Sequence, residues 1–175
     1  MSMSTEALRL HIGGKIRRSG WKILNIAPGP DVDYVGDCTD LSRFATQTAE
    51  MVYASHVLEH LGLADFPKAL SEIRRILRVD GTLFVSVPDL EVLCRFMLSP
   101  ELPLQDKWTV MRMMFGGQTD PYDFHKIGLT RDFLFAALAQ SGFRKIKLVS
   151  NFGIFQDGST AVFHGTPISL NMIAK

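Results

Sequence analysis

Two nearly continuous apolar runs, Met51-Val52-Tyr53-Ala54-Ser55 and Thr82-Leu83-Phe84-Val85-Ser86-Val87, bracket one amphipathic segment. Strands read this way when helices cover both faces of their sheet, as in parallel sheets. Between the runs, Asp65 to Arg78 sets Phe66, Leu70, Ile73 and Leu77 three and four residues apart, with Glu72, Arg74, Arg75 and Arg78 turned outward. The unit is strand, crossover helix, strand. It predicts a helix that closes at Asp80-Gly81, where glycine can take the left-handed conformation.

The same reasoning extends in both directions. Leu8 to Ile12 alternates apolar and polar residues and stops at Gly13-Gly14, a strand feeding a tight turn. Trp21 to Ala27 is a second strand, ended by Pro28-Gly29-Pro30, and Val32 to Val35 a third, ended by Gly36-Asp37. Thr130 is placed to cap a helix whose inner face uses Phe133, Leu134, Ala137 and Leu138. Lys145 to Ser150 and Ile168 to Ala174 are the last two strands, with no helical pattern between them. The order predicts one α/β domain over residues 1–175: an open, mostly parallel sheet with one late antiparallel strand. Residues 99–129 read as an insertion, with one helix over Asp106 to Met114, and insertions of this length are often lids or binding segments. Only Gly14 to Gly20 separates the first two strands, whereas a parallel crossover normally needs about a dozen residues. That connection is either a loop without a helix, or the second strand pairs elsewhere.

Composition narrows the class. Hydrophobic residues form 46% of the 175 and charged residues 21%, the balance of a globular chain with one core. A net charge of +1 from 19 basic and 18 acidic residues leaves no broad electrostatic footprint for a nucleic-acid backbone. Cys38 and Cys94 match neither a metal-ligand spacing nor a disulfide framework, so a reducing compartment is the expectation. Met1 to Gly20 has no apolar stretch of leader length, and the longest apolar run, Phe133 to Ala139, is too short to span a bilayer. The expectation is a cytoplasmic protein, with no membrane partner and homo-oligomerisation left open.

In open parallel sheets ligands bind beyond the carboxyl ends of the strands. Gly13-Gly14 follow the first strand and let a ligand approach the backbone. Asn25 ends the second, able to donate to one ribose hydroxyl and accept from another. Asp37-Cys38-Thr39-Asp40-Leu41 follow the third, and Ser55-His56-Val57-Leu58-Glu59-His60-Leu61 end the fourth.

These residues resemble class I S-adenosylmethionine-dependent methyltransferases, particularly a group of small predicted bacterial members. The likeness rests on Leu10-His11-Ile12-Gly13-Gly14, on Val35 to Leu41, on Tyr53 to Leu61, and on Asp80-Gly81-Thr82-Leu83 with Val85 to Asp89. Phe115-Gly116-Gly117-Gln118, Tyr122 to Lys126 and Pro167 to Asn171 extend it over nearly the whole chain. The resemblance implies a Rossmann-like, seven-stranded sheet with S-adenosyl-L-methionine across the strand ends. It assigns Gly13, Gly14, Asn25, Asp37, Cys38 and Ser55 to the cofactor, with Asp37 and Cys38 beside the adenine. Two departures stand out: two adjacent glycines followed by Lys15 replace the spaced glycines of the first loop, and Asn25 replaces the acidic residue that usually holds the ribose.

A second motif uses the same residues. His56-Val57-Leu58-Glu59-His60 matches H-x-x-E-H, in which two histidines one helical turn apart bind Zn²⁺. The buried strand ending at Ser55 makes that helix unexpected, and no metal is expected. His11 and His164 read as structural, and Arg17-Arg18 and Arg74-Arg75 as solvated charges. Methyl transfer needs a base only when the acceptor is protonated, and then an imidazole suits best. His56 and His125 are the candidates, with Tyr122 orienting a small-molecule acceptor such as a sugar or another metabolite. The alternatives are a non-catalytic module of the same shape and a zinc hydrolase.

Overall fold

The computed structural model describes residues 7–175; the first residues of the stretch inspected for a leader lie outside the described residues. The chain order is β1 (Leu8–Ile12), β2 (Lys22–Asn25), β3 (Tyr34–Val35), β4 (Ala49–Ser55), α1 (Asp65–Ile76), β5 (Leu77–Pro88), α2 (Leu90–Leu98), α3 (Leu104–Phe115), α4 (Arg131–Gln140), β6 (Ile146–Val149), β7 (Val162–Phe163), β8 (Thr166–Pro167) and β9 (Ser169–Ala174). A seven-stranded sheet runs β3-β2-β1-β4-β5-β9-β6, and β7 with β8 forms a separate ribbon. Pairings from β3 to β5 are parallel, whereas β9 is antiparallel to both β5 and β6, so β9 is the single reversed strand.

Strand alternation sorts the core. Leu10 and Ile12 of β1, Val52 and Ala54 of β4, and Leu83, Val85 and Val87 of β5 share one cluster with Leu70 and Ile73 of α1 and Leu134 and Leu138 of α4. The intervening residues face the other way. There His11, Tyr53 and Phe84 meet Phe152 and Phe155 from the chain after β6, with Trp21 edge-on to Tyr53 and Phe155. Edge-to-face aromatic pairs add about 0.5–1.5 kcal/mol each beyond area burial. This cover explains the short first connection: β2 pairs with β1 directly, and aromatic side chains shield the patch that an intervening helix would otherwise shield.

Several expectations need correction. α1 stops at Ile76, and Leu77 is already extended and hydrogen-bonded to Ile73 O, so the helix runs straight into β5 without a left-handed glycine. Gly81 instead sits where the β4–β5 register shifts, and a Cβ there would meet the carbonyl oxygen of Ala49 at 3.1 Å. A helix over Leu90–Leu98 has no counterpart in the sequence reading; Asp89 caps it by accepting from the amides of Glu91 and Val92. Glu91 and Arg95, one turn apart, face outward opposite buried Val92 and Leu93, but nine residues directly after the strand-ending Pro88 leave that period short. Phe133 is not on the inner face of α4 but 64% exposed. Arg75 is no free surface charge: it donates to Glu72 and to the carbonyls of Phe44 and Leu41, clamping residues 41–44 onto α1.

Candidate functional site

The carboxyl ends of β1, β2, β3 and β4 lie side by side, because these strands are adjacent and parallel. Gly13 follows β1 at φ 75°, a conformation natural to glycine. Its amide donates to Leu24 O at 2.8 Å, and a side chain there would collide with Val57. Gly14 needs its small size because a Cβ would lie 2.6 Å from Nδ1 of His11. Asn25, at the end of β2, ties down this loop: its Nδ2 donates to Gly14 O at 3.0 Å, and its Oδ1 accepts from Ala27 N at 3.1 Å. Asp37 is exposed and accepts from Thr39 N at 2.8 Å. Cys38 turns its thiol into the core, 6% exposed, where burial and the nearby Asp37 push its pKa up to about 12. Only its main chain is left for a ligand.

A nucleoside cofactor at these strand ends requires approachable backbone and polar groups with spare capacity. The two glycines meet the first requirement. Asn25 retains one N–H and one acceptor lone pair beyond its two loop bonds, and Asp37 keeps a carboxylate oxygen free of protein hydrogen bonds. The residues present therefore fit the group.

The last strand end carries the titratable cluster. Ser55 ends β4 beside Ser86 of β5, and His56 follows at φ 53°, a left-handed conformation uncommon outside glycine and often held at functional sites. The chain then winds one 3₁₀ turn, Leu58–His60, too short and too tight for the two histidines of H-x-x-E-H to stack on a helix. The turn brings Glu59 inward, 1% exposed. His56 Nδ1 lies 3.3 Å from Glu59 Oε1, and His56 Nε2 lies 3.0 Å from Ser169 Oγ, so both ring nitrogens are engaged.

His125 comes to the same carboxylate from the insertion. The segment after α3 folds back on itself, with Gln118 N donating to Asp123 O and His125 N to Phe115 O. It docks through Lys126 N, which donates to Glu59 O at 2.8 Å. This sets His125 Nε2 4.0 Å from Glu59 Oε1 and its ring 4.7 Å from that of His60. Tyr122 lies outside the cluster, 57% exposed in a turn made by Asp120. The structure thus brings His56 and His125 together around a residue that the sequence reading took only as part of a zinc motif.

The two histidines differ in charge. Burial pulls His56 down, but Glu59, with help from Asp157, more than offsets it, so its pKa stands above the ordinary imidazole value. Burial dominates at His125, assisted by His60 and His56 and only partly opposed by Glu59, so its pKa stands below that value. His11 is structural as expected: burial lowers it to about 4, and it stays neutral against Phe155. His164 pairs with Asp106 at 2.9 Å.

Residues 18–85 match a family described as a methyltransferase domain. No curated protein matches the sequence. Among solved structures, the chain is similar to a SAM-dependent methyltransferase from Archaeoglobus fulgidus, with a TM-score of 0.61, 16% identity, and coverage of 96% of this chain and 86% of that one. It is similar to a Haloferax volcanii putative methyltransferase solved with a methyltransferase activator, at TM-score 0.56 and 14% identity over 97% of this chain and 82% of that one. Human N-acetylserotonin methyltransferase, solved with SAM, aligns at TM-score 0.57 and 14% identity over 97% of this chain, which spans 47% of the human chain. The chain also spans only 49% of the CurJ carbon methyltransferase. At these identities the likeness is one of fold. Among the described residues, no helix is long and apolar enough to cross a membrane.

Proposed function

We propose that this chain is a class I S-adenosylmethionine-dependent methyltransferase that methylates a small-molecule acceptor held between the end of β4 and the insertion; the methyltransferase-domain match over residues 18–85 and the sheet topology support the class. The observation that carries the reading is the convergence of His125 and His56 on buried Glu59, next to the loops that fit a nucleoside.

Gly13, Gly14, Asn25, Asp37, the main chain of Cys38, and Ser55 would hold the cofactor. When bound, S-adenosylmethionine supplies a methyl group already activated on a sulfonium. The protein's own work is alignment and proton handling. His125, neutral around pH 7, takes the proton of an acceptor hydroxyl or amine, and Glu59 stabilises the resulting imidazolium. His56 positions Glu59 and does not itself take the proton, since Ser169 and Glu59 occupy its two nitrogens. Tyr122, exposed in the insertion, orients the acceptor from outside. Residues 99–129 act as the cover of this site within a single domain. The two free cysteines suit the cytoplasm.

The test is release of S-adenosylhomocysteine from S-adenosylmethionine across a panel of hydroxyl- and amine-bearing metabolites. With an accepted substrate, His125→Ala should lower the rate about 10²- to 10⁴-fold, the range of a missing general base, with S-adenosylhomocysteine affinity unchanged. Because the His125 pKa is lowered, the acid limb of kcat/KM should fall below the ordinary value of about 6.5. Equal losses of rate, cofactor affinity and thermal stability would make His125 a structural anchor instead.

A further inference from the structure

We propose that Glu59, His60 and His125 form a site for one divalent transition-metal ion, with Zn²⁺ the best fit. One ligand atom from each can be chosen so that all lie within 4.8 Å of one another. Tetrahedral zinc with bonds near 2.1 Å needs ligand atoms about 3.4 Å apart, so rotamer adjustments of about 1 Å complete the set.

Two observations beyond proximity point to a cation. Both carboxylate oxygens of Glu59 are buried without an aligned hydrogen-bond donor, and His56 approaches only one of them within ion-pair distance. Oε1 has the ion-pair approach of His56 and, at 4.0 Å, His125, but Oε2 is buried with no partner of either kind, which is costly unless a further cation meets it. His60, in turn, has its tautomer set. Its Nδ1 lies 3.2 Å from the carbonyl oxygen of Phe124, which can only accept, so Nδ1 carries the proton and Nε2 keeps its lone pair. Carbonyls fix the tautomer of metal-binding histidines in this way. His56 beside Glu59 would orient the carboxylate from outside the ligand set.

Two imidazoles and one carboxylate favour zinc, cobalt or nickel over magnesium or calcium, and three protein ligands leave a fourth position open. The ligands differ from those of H-x-x-E-H: His56 is not among them, and His125 comes from the insertion. An ion here would pin the insertion onto the turn after β4. It would also occupy the lone pair with which His125 acts as base, so zinc would suppress His125-dependent transfer; this consequence alone rests on the proposed function.

The experiment is isothermal titration of the untagged, chelator-treated full chain with zinc chloride. One ion per chain is expected, with His60→Ala weakening it more than the 10- to 100-fold typical of an outer-shell change. His164→Ala, outside the site, should leave zinc binding intact. His60 is only partly buried, so its variant should fold even where Glu59→Gln does not. S-adenosylhomocysteine titrated into His60→Ala reports separately on the cofactor reading. No saturable zinc binding, or full binding by His60→Ala, overturns the site.

Discussion

His56 Nδ1 sits 3.3 Å from Oε1 of Glu59, a carboxylate 1% exposed, and this pair sets the charge at the end of β4. Because the folded pKa of His56 is raised, its stabilisation is whole below the unfolded value of about 6.5 and fades as pH rises through the folded value. Glu59→Gln should therefore move the His56 midpoint downward in an NMR titration of its ring protons. The alkaline decline in stability should flatten with it. An unchanged midpoint would show that the pair is not electrostatic.

Tyr53 anchors the aromatic cover that replaces a helix over β1 and β4. Its hydroxyl donates to Asp157, with contacts of 2.9 and 3.1 Å, and lies 3.2 Å from Ser159 Oγ. Tyr53→Phe should cost about 1 kcal/mol in urea unfolding at neutral pH, as the half-buried Asp157 carboxylate loses a donor. Burial pushes the Asp157 carboxyl up, but donors from Ser159 and Tyr53 outweigh it and hold its pKa below the usual range. The contribution is therefore present above about 3.9, and the gap between wild type and variant should close as pH falls through the folded value. Equal stability at pH 7 would contradict the anchoring role.

Asn25 holds the first loop through Gly14 O at 3.0 Å. Asn25→Asp introduces the acidic residue usual at this position in the methyltransferases the sequence resembles, yet sets a carboxylate oxygen against that carbonyl. Thermal or urea unfolding should show a loss of about 1 kcal/mol in the absence of ligand. A variant as stable as the wild type would mean that the loop does not depend on this bond.

The parallel core was legible because Met51–Ser55 and Thr82–Val87 carry their burial in composition, and the α1 face shows its period openly. The reversed final strand was legible from the absence of a helix pattern between the last two runs. What stayed hidden depends on distant contacts. Nothing local announces that Phe152 and Phe155 shield His11 and Tyr53, and the helix over Leu90–Leu98 is short enough that its one polar pair, Glu91 and Arg95, shows barely one turn of period. At the site, strand-end logic picked out Gly13, Asn25 and His56. Glu59 as the meeting point of His56 and His125 required the docking bond from Lys126 N to its carbonyl, which joins residues far apart in sequence.

The proposed function requires this sheet to bind S-adenosylmethionine at the ends of β1 to β4. Isothermal titration of the chain with S-adenosylhomocysteine tests it without knowledge of the acceptor. A saturable signal with one site per chain, accompanied by a ligand-dependent rise in Tm, is the predicted result. No heat and no Tm shift at millimolar ligand would contradict the claim and leave a methyltransferase-shaped module without its cofactor.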